Sequence, residues 1–478
     1  MTLDQGAIRP TLSFLSDEAR QQIHQAALEV LGDIGMQIQN EEGREILRGA
    51  GCTVRADSTV TIPAELVQSA LETAPRSIEV FDRAGEPAMD LGGRRSFFGT
   101  GSDLLYTLEP GQRERHRSLL SDVERAARVA DALPNLDFVM SLATPSDVPP
   151  HRSYLLSIQA LMENTVKPVV CTADTAEDLG AICDLARIIR GGERELRERP
   201  YVIHYAEPVS PLKHPESSVD KLLLCADRWI PVIYSPAPIA GSTAPISIAG
   251  HVVQGLAECL CGLVMHQLRA RAAPFIMGMG PAVLDMATVE CSYNAPEYYL
   301  SYAAIIEMSQ HYDLPSWGYA GTSDSQLPDG QATLEAGMIT MLSVFCGANL
   351  CHDVGYLDFG RMGSLEMVVT MDEFISQLRR MARGIPVTDE ALALDVMREA
   401  APKGHFLGNP HTRRLVRTTQ WRPKLFNRLG WNRWKETGAT SLQERALGRL
   451  EQLLESHEPP ALPDETLRAM QERVDRFV

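Results

Sequence analysis

His352 and Asp353 stand side by side at the end of the apolar run Asn349-Leu350-Cys351, with Tyr356 three residues further on. An imidazole beside a carboxylate can serve as an acid–base pair or can orient a ligand. A second run ends in Trp317 and Tyr319 and is followed by Asp324 and Gln326; Tyr106, Tyr205 and Glu207 lie at or just after the ends of others. Aromatic faces are electronegative, and several around one cavity hold a quaternary ammonium group, which nearby carboxylates also favour. In a chain that is only 6% aromatic, this concentration is a signal. The candidate set is therefore His352, Asp353 and Asp324 for catalysis, and Tyr106, Tyr205, Glu207, Trp317, Tyr319, Gln326 and Tyr356 for substrate binding. Any single ring reads equally well as core filling.

These residues need a scaffold that gathers strand ends. From residue 95 to about 384, short β-branched or apolar runs alternate with longer helical stretches. The runs are 97–101, 137–142, 168–172, 201–205, 231–235, 274–278, 316–320 and 349–353, and the helical patterns include 123–133, 176–189, 249–268, 296–312 and 333–346. Continuously apolar strands alternating with helices indicate a parallel sheet covered by helices. Eight such units predict an α/β fold, a (β/α)8 TIM-type barrel in preference to an open doubly wound sheet, with its active site at the C-terminal strand ends. Residues 1–94 read as a mixed helix and strand region, with a helix from about Ser16 and a strand at 77–81. Residues 385–478 read as a helical cap or interface, with Ser441 opening an amphipathic helix and Pro459-Pro460 leading to a final one.

Composition narrows the function. Lys and Arg total 45 against 62 Asp and Glu, a net charge of −17 that disfavours nucleic acid and anionic membranes. The nine cysteines lie mostly in apolar stretches without paired spacing, which predicts buried thiols in a reducing compartment. Neither H-E-x-x-H nor a repeated Cys/His spacing occurs, so no metal site is expected. No nicotinamide fingerprint follows a strand, since Pro281 interrupts Gly278-Met279-Gly280. Met1 to Leu15 shows no leader pattern and no run reaches the ~18–20 apolar residues of a membrane span, so a cytoplasmic location is expected.

Longer segments resemble a known family. Tyr234-Ser235-Pro236-Ala237-Pro238-Ile239-Ala240-Gly241-Ser242-Thr243-Ala244-Pro245, the stretch from Tyr319 through Gln326 to Gln331, and Asn349-Leu350-Cys351-His352-Asp353-Val354-Gly355-Tyr356-Leu357 resemble segments of the trimethylamine methyltransferase family. The last is similar to members related to glycine betaine methyltransferase; Gly404-His405-Phe406-Leu407 and Trp421-Arg422-Pro423-Lys424-Leu425 resemble the C-terminal signature. The resemblance implies a (β/α)8 barrel, methyl transfer from an amine to the Co(I) corrinoid of a separate protein, and oligomerisation. Gln326 stands where many members carry Lys, which bears on substrate range.

The namesake enzymes use pyrrolysine for a tertiary amine, whereas this chain uses only the standard residues. A quaternary nitrogen already carries the charge that makes a neutral amine the leaving group, so a betaine-like quaternary amine is the expected substrate. The base-off cobalamin pattern Asp-x-His-x-x-Gly is lacking, because Lys403 precedes Gly404-His405 where the acid is required. Cobalamin is therefore expected on a cognate corrinoid protein, with no tightly bound cofactor on this chain. Two alternatives are a barrel lyase or hydrolase using His352 and Asp353, and a non-catalytic betaine-binding protein.

Overall fold

The computed structural model describes residues 8–477, Lys403 through its backbone alone. Met1–Ala7 of the expected N-terminal region, and Val478, lie outside the described residues. Seven parallel strands are β1 (Phe97–Thr100), β2 (Val169–Cys171), β3 (Val202–Ala206), β4 (Val232–Tyr234), β5 (Phe275–Met277), β6 (Trp317–Tyr319) and β7 (Leu350–Val354). Between β1 and β2, Phe138 bridges Gly99 and Val139 bridges Val169, so the run expected at 137–142 pairs only at its centre. β2 to β5 pair in sequence order, Met277 bridges Ser316 ahead of β6, β6 pairs with β7, and β7 pairs with β1. Seven of the eight expected runs form strands, and 137–142 is represented by isolated bridges alone.

Prolines set the starts of these strands. Pro168, Pro231, Pro274 and Pro315 cannot donate a ladder hydrogen bond, but their carbonyls accept from Val139, His204, Val232 and Met277 of the preceding segment. Each proline thus ends the helical approach without leaving an orphaned donor. The intervening helices are Leu120–Ala132, Ser153–Asn164, Ala176–Arg190, Glu216–Arg228, Ile248–Arg269, Pro296–His311, Gly330–Cys346 and Leu365–Ala382.

Ile248–Arg269 corrects one expectation: it is long and apolar enough to cross a membrane, with mean hydropathy 1.5 over its most apolar window, of which 72% is buried inside the protein. It packs against its neighbours Glu216–Arg228 and Pro296–His311 and against the N-terminal helices Asp17–Glu29 and Ala64–Thr73. An all-round apolar surface suits a helix enclosed on every side.

Before the first strand, Ser16 caps Asp17–Glu29 by accepting from the Ala19 N–H, and Ser77–Phe81 pairs antiparallel with Pro87–Gly92. At the C-terminal end, Ser441 and Glu444 form the capping box of Leu442–Ser456, which packs on Leu365–Ala382, and Asp464–Asp475 packs on Ala176–Arg190. An excursion that periodicity does not reveal follows β1: Tyr106–Leu108 pairs with Arg115–Arg117 and with Met362–Gly363.

Candidate active site at the strand ends

β7 is irregular where its chemistry sits. Cys351 pairs with Phe98 but Val354 with Thr100, so three steps along β7 match two along β1, and Asp353 takes a left-handed φ of 76°. Such a bulge re-aims side chains, and its strain is held by the surrounding packing. Gly321, with a positive φ, permits the close approach, because a Cβ there would lie 2.8 Å from the Val354 Cα. The bulge delivers His352 and Asp353 to one enclosure, Nδ1 lying 2.5 Å from Oδ1 without hydrogen-bond alignment. Both are buried, at 7% and 4% exposure, and His352 Nε2 has no hydrogen-bond partner.

Aromatic rings surround the imidazole. It stacks on Trp317 at 3.9 Å between centroids with 14° between planes, and lies 4.7 Å from Tyr319 and 6.2 Å from Tyr205. Edge-on contacts from Tyr298 and Tyr302 hold Tyr319, and Tyr302 accepts from the Tyr319 N–H. Trp317 is fully buried between Phe138 and His352, so one of its faces is already covered. Of the rings around the imidazole, Tyr205 is partly exposed, whereas Tyr319 is buried like His352 itself.

Acids complete the enclosure. The Tyr205 hydroxyl donates to Glu207 at the end of β3. Asp103, beyond β1, accepts from Ser102 and Thr172 side chains. Both residues are exposed to solvent, although protein crowds their carboxyl groups. Burial pushes Glu207 up to about 7; Asp103 and Asp353 push the same way, against the Tyr205 hydrogen bond and the Lys221 ammonium. Burial likewise raises Asp103 above the usual carboxylate range.

The other candidates are held by contacts of their own, Tyr356 still within reach of Asp353 and Asp103. The Tyr356 hydroxyl accepts from the Ser102 N–H and donates to the Ser102 carbonyl, and its ring covers Gly101. It clamps the end of β1. Tyr106 lies under Arg115, whose guanidinium carbon is 4.0 Å from the ring centroid. Asp324 accepts from the Ser292 hydroxyl and the Tyr293 N–H, anchoring the loop after β5, while exposed Gln326 donates to the Asp324 carbonyl. Asp103 and Tyr298 were outside the candidate set: Asp103 follows a strand end like the others, but Tyr298 lies inside a helix and carries no sequence signal. Among the described residues no group of three or more His, Cys, Asp or Glu side chains is placed to hold a metal ion.

Parallel strands alternating with helices, with aromatic and acidic side chains clustered at the strand ends, define an α/β scaffold of the kind that carries enzyme sites there. The chain belongs to the trimethylamine methyltransferase (MTTB) family, whose model matches residues 5–477. Trimethylamine methyltransferase MttB of Desulfitobacterium hafniense is 30% identical, over 97% of this chain and 94% of that protein. Glycine betaine methyltransferase of D. hafniense strain Y51 is 29% identical, over 96% of each chain. Among solved structures, monomethylamine methyltransferase (MtmB) of Methanosarcina barkeri aligns with a TM-score of 0.49 at 13% identity, covering 91% of this chain and 92% of that one. The chain is accordingly an enzyme of the methyltransferase class.

Proposed function

We propose that the protein transfers a methyl group from a quaternary amine, betaines included, to the Co(I) corrinoid of a separate protein. The supporting observation is the enclosure of Tyr205, Tyr319 and His352 with Glu207, Asp103 and Asp353, which offers faces and negative charge to a cation that has no N–H to donate. In this reading residues 95–384 form a (β/α)8 catalytic barrel, with residues 1–94 and 385–478 flanking it, in a cytoplasmic homo-oligomer. The corrinoid supplies the nucleophile. The chain's residues bind the cation, turn one methyl outward and keep water away. The departing nitrogen retains the C–N electron pair and leaves as a neutral tertiary amine, so no proton donor is required. His352 and Asp353 then position substrate.

The test is demethylation of a panel of quaternary amines with a reduced corrinoid protein, following methylated corrinoid and tertiary amine. A His352→Asn enzyme should keep measurable turnover, with kcat flat in pH at saturating substrate. The unpartnered His352 Nε2 beside Asp353 favours a second reading, an acid–base lyase or hydrolase. Loss of all turnover in His352→Asn with substrate binding intact, and a parent kcat that falls tenfold per pH unit on one side, would establish that reading instead.

A further inference from the structure

We infer that the enclosure selects N-methylated cations carrying no carboxylate, because Asp103, Glu207 and Asp353 already supply the counter-charge. This rests on the reading above and narrows its substrate class. The three acids arrive from the ends of β1, β3 and β7, three separate points around the mouth. Their grouping would be unremarkable on an open surface. Here it coincides with a polar side chain outside the three acids that is more than nine-tenths buried and lacks a hydrogen-bond partner, His352 at Nε2. Buried polar atoms left unpaired point to a ligand that completes the site.

A carboxylated substrate would need a cation or an array of donors at its other end. The basic side chains at these strand ends are engaged. Lys221, on Glu216–Arg228, donates from Nζ to the Ala173 carbonyl at 2.6 Å and faces Asp174, Asp178 and Glu207. Arg361 pairs with Glu290 at 3.1 Å and with Asp358 at 3.2 Å, and Arg115 pairs with Asp358 at 2.7 Å. A second carboxylate would therefore enter a field set by three acids with one lysine opposing them. A bare ammonium meets the three acids with only Lys221 opposing it.

The arrangement also couples binding to protons. Around Glu207 stand Tyr205 on its own strand, Asp103 beyond β1, Lys221 on its helix, Asp353 on β7, Tyr319 on β6, Tyr293 in the loop after β5, and Tyr154 on Ser153–Asn164. Burial raises all four tyrosines above their ordinary range, so they stay neutral. Burial holds Glu207 at about 7, and a bound cation opposes that effect, so binding expels its proton and tightens as pH rises from 6 to 8.

Titration calorimetry on the full chain decides the matter, with tetramethylammonium, choline and glycine betaine at pH 6 and 8 in buffers of different ionisation heat. The expected result is at least about tenfold tighter binding of the first two, with proton release on binding. Glu207→Gln should weaken the cations and abolish the pH dependence. Asp103→Asn, checked for an unchanged melting temperature, should narrow the gap between choline and glycine betaine. Glycine betaine binding as tightly as choline overturns the selection and leaves methyl transfer standing. If none of the three cations binds, the site reading falls and the selection falls with it.

Discussion

A quaternary nitrogen has no hydrogen to give, so each ring around it contributes through its face and only if that face is free. Trp317 and Tyr205 therefore have different duties although both touch His352. Trp317 is sandwiched and fully buried, and its replacement by Leu leaves a cavity; the expected cost is about 2–4 kcal/mol of stability. Tyr205→Leu removes a partly exposed ring and the donor to Glu207, and should cost ~0.5–2 kcal/mol of cation binding with a much smaller fall in Tm. Thermal melts with titrations of both variants check the pair; equal binding loss in both would make Trp317 a cage wall. The sequence identified both as strand-end aromatics. It could not say which faces were covered, because that depends on Phe138 and His352, distant along the chain.

Elements deliver these residues through local departures from regularity. The strand runs were legible because fully buried parallel strands are apolar throughout, and each proline marked an entry. The bulge in β7 left no such trace: Cys351-His352-Asp353-Val354 reads as ordinary strand until its register against β1 is known. The contacts of Tyr356 were hidden for the same reason. It reads as another ring at the mouth, yet the missing side chain of Gly101 makes room for it as a clamp. A Cβ at Gly101 would lie 2.1 Å from the Tyr356 Cε1. Gly101→Ala should expel that ring, break both hydroxyl bonds to Ser102 and displace Asp103, lowering stability by about 1–3 kcal/mol and weakening cation binding. Tyr356→Phe keeps the ring, so it should reproduce part of the stability loss with less effect on binding. Unchanged binding in Gly101→Ala would show that the clamp does not reach the site.

At the scale of the molecule, one end carries both the site and an apolar rim. Ile246, Met286 and Val289, on loops that follow β4 and β5, are 68%, 58% and 73% exposed, and Met286 approaches Gly241 beside Ile246. Under the proposed function, a corrinoid protein docking at the strand ends would meet these side chains. Met286→Glu should raise the KM for the corrinoid protein several-fold while leaving the calorimetric affinity for the free cation unchanged. Equal effects on both would place Met286 in the cation site.

Inside the scaffold the charge balance runs the other way, because three histidines are enclosed without their charge. Burial depresses His204, His214 and His266 to about 3. In the unfolded chain each takes up a proton near ~6.5, so between those values the unfolded state binds more protons and stability falls as pH falls. Raised carboxylates such as Glu207 act in the opposite sense over part of this range, so a difference between two proteins is needed. His266 lies 5.6 Å from Phe275 between ring centroids, and its Nε2 has no partner, which makes Phe a replacement of similar shape. The His266→Phe protein cannot titrate there. Relative to the parent it should therefore gain about 2 kcal/mol when the pH is lowered from 7 to 5, from ~1.4 kcal/mol per unit below ~6.5. Paired denaturant titrations at the two pH values measure that difference, and a stability gap that does not change with pH would mean that His266 carries a proton in the folded protein.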